Sequence, residues 1–406
     1  MPNAVTAARA VPIDASAAFG RLCAMGFLAY CSYAICRTPL LPLLARDLGA
    51  TPPMVGLVVG ASTLTGIVLK LPAGAWSDVL GRRPLLLAGT IMFAAMPITY
   101  LGVASLGMLV ALRFLHGSAT AIVGPVAAAS LSDLAPPIRR ATWLSTYATC
   151  QGAGQALGPI VAGYLIGGGR YDLAFITAAL VASVTPLLAA RWPATVPVAH
   201  RSARRAHVLQ GVRDVCRQPL ILLTSLTQAG QFVMNGSLNA FLPLFARDTI
   251  GLSASRLGWL FALQTLTTLA MRPIIGRVSD QVGRRGVIAT GLTVCSGAVW
   301  LVSLADAWPG LVIGVTLYAI GVAVTTAATS AYITDLSHQA RYGAAHGVFG
   351  SIYDVGDALG PIAAGLLVAS VGYARMFQGM ALVGLTMALV FSVASWRIAA
   401  GGPRVA

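Results

Sequence analysis

The chain has no glutamate: its twelve acids are all aspartate, and only 10% of its 406 residues are charged. Soluble domains carry about 25% charged residues, so water is not the medium around most of this sequence. Cysteine and histidine are sparse and scattered. Cys23, Cys31, Cys36, Cys150 and Cys295 lie in apolar runs and Cys216 at an edge, without metal-ligand spacing, so they read as reduced packing residues. No phosphate-cradling Walker loop occurs. Hydrophilic sequence is confined to short breaks and the stretch 191–218, too little to house a soluble catalytic domain. An enzyme, a metal site and a bound cofactor are therefore not expected.

What is present is hydrophobic: 57% of the residues, with mean hydropathy +0.79. Apolar runs near 20 residues recur, the length a helix needs to cross a hydrocarbon layer of ~30 Å. Twelve such spans are read between 19 and 397, six before the 191–218 segment and six after it. The first apolar run is of full span length behind a short Ala/Pro tail, so no cleavable signal peptide is expected.

The chain is also written twice. Gly74 to Arg83 returns as Gly276 to Arg285, displaced by 202 residues. The same offset relates Gly56 to Gly258, Asp133 to Asp335, Tyr171 to Tyr373, and the run Ala156 to Ile160 to the run Ala358 to Ile362. Arg46 and Asp47 match Arg247 and Asp248 after a slip of one. A period this long means duplication of a whole helical unit, since solenoid repeats run ~20–50 residues. The expected fold is an all-α membrane protein of twelve transmembrane helices in two pseudo-symmetric six-helix bundles. Its parts are a tail (1–16), a first bundle (17–190), a basic linker (191–218), a second bundle (219–398) and a short C-terminal tail (399–406). Six crossings per copy make the repeats parallel.

Charge orients the chain. Eighteen arginines fall in alternate breaks and five in the opposite ones, which puts both termini and the linker in the cytoplasm by the positive-inside rule. The net charge of +15 is then orientation signal scattered over short loops, with no basic stripe to bind nucleic acid. The expected surroundings are the lipid bilayer of a bacterial inner membrane, with the chain monomeric.

The repeated Gly-x-x-x-Asp-x-x-Gly-Arg-Arg loop, set between the second and third span of each half, resembles the major facilitator superfamily over nearly the whole chain. That resemblance implies two bundles rocking about a midplane site, with secondary active transport as the activity. The loop has its own physical reading. Gly74 and Gly276 let helices approach, Gly81 and Gly283 permit a tight turn, and Asp78 and Asp280 can pair with Arg82, Arg83, Arg284 and Arg285 to latch one conformation. Alternatively the arginines only anchor topology. The family commonly has a cation directly after the aspartate, whereas Val79 and Gln281 stand here. A second element, Gly154, Gly158, Pro159 and Gly163, is similar to the glycine-proline motif of drug:proton antiporters, with Ala162 where the family prefers glycine. Gly356, Gly360, Pro361 and Gly365 repeat it, so it reports the duplicated scaffold as well as antiport. Its prolines remove a helix hydrogen bond and offer a place to bend.

Polar side chains in hydrocarbon usually face the bundle interior. At ~100° per residue the seventh span aligns Thr224, Gln228, Gln231, Asn235 and Asn239. Other stripes are Tyr30, Tyr33 and Arg37; Arg113, His116 and Thr120; Tyr147, Gln151 and Gln155; Tyr318, Thr325, Thr329 and Tyr332. These faces are expected to line a cavity for a small-molecule substrate, the alternative for each being helix–helix contact. Arg37 and Arg113 lie well inside their spans and either bind an anionic substrate or pair internally with Asp354 or Asp357. Lys70 and Arg272, matched by the repeat near helix ends, read as snorkelling anchors. For proton coupling the candidates are Asp354, Asp357 and His346, with a fixed ion pair as the alternative for the aspartates. The expected activity is proton-coupled export of a small amphipathic or anionic metabolite or drug. Proton-coupled uptake of an organic anion and a transporter-like sensor are the alternatives.

Overall fold

The computed structural model describes residues 15–167, 169–193, 213, 215–337 and 342–401. Most of both terminal tails and of the 191–218 segment, including Arg9, Arg201, Arg204, Arg205 and Arg404, lies outside the described residues, as does Arg341. The described chain is helical and contains no strand.

The first repeat forms α1 (Ala15–Arg37), α2 (Leu40–Asp47), α3 (Pro52–Leu80), α4 (Arg82–Thr99), α5 (Leu106–Leu134), α6 (Arg140–Ile166) and α7 (Tyr171–Ala190). The second forms α8 (Pro219–Asp248), α9 (Ala254–Val282), α10 (Arg284–Ser303), α11 (Trp308–Leu336) and α12 (Tyr342–Gly401). Long helices satisfy their own backbone, which hydrocarbon demands. Their ends carry local signals. Ser105 caps α5 by accepting from the Met108 amide at 3.3 Å, and prolines open α3 and α8, where a missing N–H costs nothing. Gly81 and Gly283, at φ 92° and 99°, turn α3 into α4 and α9 into α10 in a single residue; such φ values suit glycine alone. Gly372, at φ 79° and ψ 175°, breaks α12 into two helical segments.

Eight stretches of the described chain are long and apolar enough to cross a membrane. α6, α8 and α9 are not among them; they carry many of the glutamines, asparagines and arginines treated below. Large apolar side chains such as Val68, Leu187, Leu389 and Trp396 are more than 60% exposed, a surface that calls for lipid as its solvent.

Packing follows the duplication. Within the first repeat α1 lies against α6 and α7, α3 against α5, and α4 against α5 and α7. Within the second α8 lies against α12, α10 against α11 and α12, and α9 against α11. The repeats meet through α3 with α12 and α6 with α9. Glycine makes those meetings possible: a Cβ at Gly56 would stand 2.2 Å from the Pro361 carbonyl oxygen, and one at Gly258 2.3 Å from that of Pro159.

One expectation needs correcting here. Gly74 and Gly276 do not serve helix approach, because a Cβ at either would meet no described atom within 4 Å. Glycines of the repeated glycine-proline motif, spaced four apart, are approach sites. A Cβ at Gly154 or Gly158 would collide with α1, one at Gly356 or Gly360 with α8, and ones at Gly163 and Gly365 with Ala254 and Pro52. Pro159 and Pro361 lie inside α6 and α12, which stay helical through them, and each proline offers its carbonyl face to a glycine of the other repeat.

Candidate functional site

α1 ends at Arg37 and α2 resumes at Leu40. The break puts a guanidinium in the last turn of a helix, where the helix dipole favours a cation. It faces a cavity of about 500 Å³ lined from both repeats: Tyr30, Tyr33, Arg37, Lys70 and Gln155 from the first, Asn235, Asn239, Gln264, Asp354 and Asp357 from the second. Two ion pairs cross it. Arg37 donates to Asp357 at 3.4 Å, and Lys70 pairs with Asp354. Asp357 also accepts from Thr63 at 3.1 Å and from Asn235 at 3.3 Å. The first repeat thus supplies the cations and the second the carboxylates.

A second cavity of about 300 Å³ adjoins the first, sharing Gln155, Asn235, Gln264 and Thr265. Gln151, Gln231, Phe232, Leu269, Arg272 and Val322 complete most of its wall. Lys70 and Arg272 are therefore cavity residues, correcting their reading as anchors. Lys70 is the only lysine in the chain, and its partner lies 284 residues away, a pairing that single-sequence periodicity does not reveal.

Several expected liners reach neither cavity. Arg113 is fully buried, donates to Ser62 at 2.6 Å and to Tyr33 at 3.4 Å, and lies 5.5 Å over the Tyr33 ring. It pairs with neither Asp354 nor Asp357. His116 is buried beside it against the Tyr100 hydroxyl. Gln228 accepts from Thr329 at 2.6 Å, and Gln231, which does line the second cavity, donates to Tyr318 at 3.1 Å, so two of the five stripe residues tie α8 to α11. Thr325 returns its hydroxyl to the Gly321 carbonyl. His346 meets Thr334 at 2.9 Å and lines neither cavity. The stripes were polar for two reasons, and one-dimensional spacing does not separate a wet face from a face bonded to a neighbouring helix.

At the loop end of each repeat the carboxylates and guanidiniums form matching clusters. Arg82 pairs with Asp78 at 2.8 Å and Asp133 at 2.9 Å; Arg284 pairs with Asp280 at 2.5 Å and Asp335 at 2.9 Å. Arg285 donates to the Tyr332 hydroxyl at 2.9 Å; for Arg83 no ion pair is seen among the described residues. These pairs join helices of one repeat. At the opposite end the pairs join the two repeats. Arg46 pairs with Asp248 at 2.5 Å and Arg247 with Asp47 at 3.2 Å, while Tyr373 and Tyr171 donate to the same two carboxylates. The sequence held this signal, since all three residue types recur in both copies.

A polar cavity with ion pairs across it, enclosed by lipid-facing helices of two repeats, is the architecture of a membrane carrier. The profile of the Major Facilitator Superfamily matches residues 22–253 and again 224–405. The chain belongs to that superfamily: it is an integral, multi-pass membrane transporter and not an enzyme. Relatives include an uncharacterized MFS-type transporter of Methanocaldococcus jannaschii, 23% identical over 87% of this chain and 92% of that protein. Multidrug resistance protein MdtH of Escherichia coli is 25% identical over 81% of each chain. A bacterial homolog of the human lysosomal transporter Spinster, solved inward-facing and unoccupied, shares the fold with a TM-score of 0.77 at 16% identity, over 95% of this chain and 96% of that one.

Proposed function

We propose that the protein is a proton-coupled secondary transporter that exports small amphipathic or anionic molecules by alternating access. Twelve crossings form two six-helix bundles, six from each repeat, with α1 and α2 counted as one crossing and α12 as two. The Asp78 and Asp280 loops and both termini face the cytoplasm of a bacterial inner membrane, on the strength of the arginine distribution. The chain acts as a monomer, with both joined cavities inside one molecule.

The observation that carries the proposal is the pair of ion pairs joining the repeats over the cavity, Arg37 with Asp357 and Lys70 with Asp354. While both hold, the bundles are tied. A proton on either aspartate removes the charge that holds its cation, and a substrate entering between the bundles separates the same groups. When either ligand, but not both together, frees the bundles, the two are exchanged across the membrane. One proton moving down 100 mV supplies about 2.3 kcal/mol, enough to drive export without ATP. The multidrug resistance name of the MdtH relatives favours export.

The same pairs favour a second reading. An anion that takes Arg37 leaves Asp357 without its cation and invites a proton, so anion and proton bind together. That linkage would make the protein a proton–anion co-transporter working as an importer. Proteoliposomes with an imposed pH gradient distinguish the two when uptake of a permanently ionised dansyl sulfonate is followed. Exchange fills vesicles that are acidic inside, and co-transport fills vesicles acidic outside. Uptake equal to that of protein-free vesicles under both gradients would overturn the coupling.

A further inference from the structure

Lys70 and Arg272 occupy equivalent positions of the two repeats, yet their surroundings differ. Lys70 has a carboxylate, that of Asp354. The residue equivalent to Asp354 in the first repeat is Gly152, which lines the second cavity together with Arg272. No acid lines that cavity, and Arg272 is exposed, with no hydrogen bond or ion pair among the described residues. Charge sums the same way. The charged side chains lining the two joined cavities are Arg37, Lys70 and Arg272 against Asp354 and Asp357. Two cations are matched and one is left over.

We infer that the second cavity holds the anionic group of a small amphipathic monoanion, a carboxylate, sulfonate or phosphate monoester, with Arg272 as its counter-ion. A guanidinium stays charged and presents a donor fork that fits such groups. Amides of Gln151, Gln155, Gln231, Asn235 and Gln264 surround the space, and the Gln264 Oε1 atom is buried without a partner. Phe232, stacked on Tyr353 at 4.5 Å, gives the cavity an aromatic wall, and Leu269 and Val322 extend its apolar side. An anionic head beside an aromatic or aliphatic body is the complement of these surfaces. Calling this ligand the transported molecule rests on the proposed function; the anion site itself does not.

The test uses the full chain purified in a non-ionic detergent and two fluorescent probes of the same body, dansyl sulfonate and its neutral counterpart dansyl amide, titrated by anisotropy. A charge-assisted contact of this kind is worth roughly tenfold or more in affinity. The parent protein is expected to prefer the sulfonate by about that factor. Arg272→Gln should abolish the preference with amide binding unchanged, and Arg272→Lys should keep part of it. Absence of a preference in the parent, its survival in Arg272→Gln, or equal weakening of both probes would overturn the inference. Short-chain phosphatidylglycerol displacing the sulfonate at lower concentration than the sulfonate itself binds would assign the site to a lipid headgroup and overturn the soluble ligand. If proton-linked flux fails while the preference depends on Arg272, the transport reading falls and the anion site stands; the reverse pattern removes only the site.

Discussion

Asp357 gathers more of the first cavity than any other side chain, accepting from Arg37, Thr63 and Asn235 on three different helices. Removing one partner of such a pair leaves the other charged in a place with little water. Asp357→Asn and Arg37→Gln are each expected to lower thermal stability, and the double variant to lose less than the sum, with a coupling of about 1–3 kcal/mol. Additive losses in detergent-solution unfolding would separate the two residues energetically. This pair shows what a single sequence reveals at the residue scale. Burial of Arg37 and Asp357 within apolar spans marked both as needing a reason, and internal pairing was one of two readings available. Lys70 gave no such mark, because a long side chain near a helix end has a solvent-seeking explanation ready, and its carboxylate belongs to the other repeat.

Elements were more legible than residues. Hydropathy and the 202-residue offset outline the helices, since hydrocarbon leaves the backbone little choice. Function along a helix face was harder to read: Gln228 and Gln231 lie on one α8 stripe with Asn235 and Asn239, yet the first two are bonded to α11 and the last two face the first cavity. The repeated glycines divide by neighbour in the same way. Gly154 and Gly356 meet helices of their own repeat, whereas Gly56 and Gly258 meet the other repeat. Gly154→Ala is therefore expected to lower the melting temperature by pushing α6 off α1. Gly258→Ala should instead hold α9 away from α6 and increase maleimide labelling of a cysteine placed near Ser255, with melting little changed. Equal effects of the two substitutions on both measurements would erase the distinction.

For the whole molecule, ion pairs outside the cavity join the two repeats at the Asp47 end. Arg46 with Asp248 and Arg247 with Asp47 are the same contact made twice, each reinforced by a tyrosine. Exposed pairs are individually weak, about 0–1 kcal/mol, and salt screens them over about 10 Å at 0.1 M, so their number and symmetry matter more than either alone. Asp47→Asn or Asp248→Asn alone should raise labelling at this end slightly. The double variant should raise it more than the two singles combined, and high salt should imitate it in the parent. Labelling that is additive and indifferent to salt would mean that the glycine contacts alone close this end.

The uneven division of charge across the cavity has a consequence for assembly from fragments. Should the gene be cut between the repeats, two identical first pieces could still exchange arginine and aspartate at the Asp47 end, because each carries both. In the middle they would oppose Arg37 and Lys70 to their own kind, while two second pieces could set Arg272 against Asp354 but would leave Asp357 without a cation. Only unlike pieces give both aspartates a cation. The two copies have thus diverged into complements at the cavity.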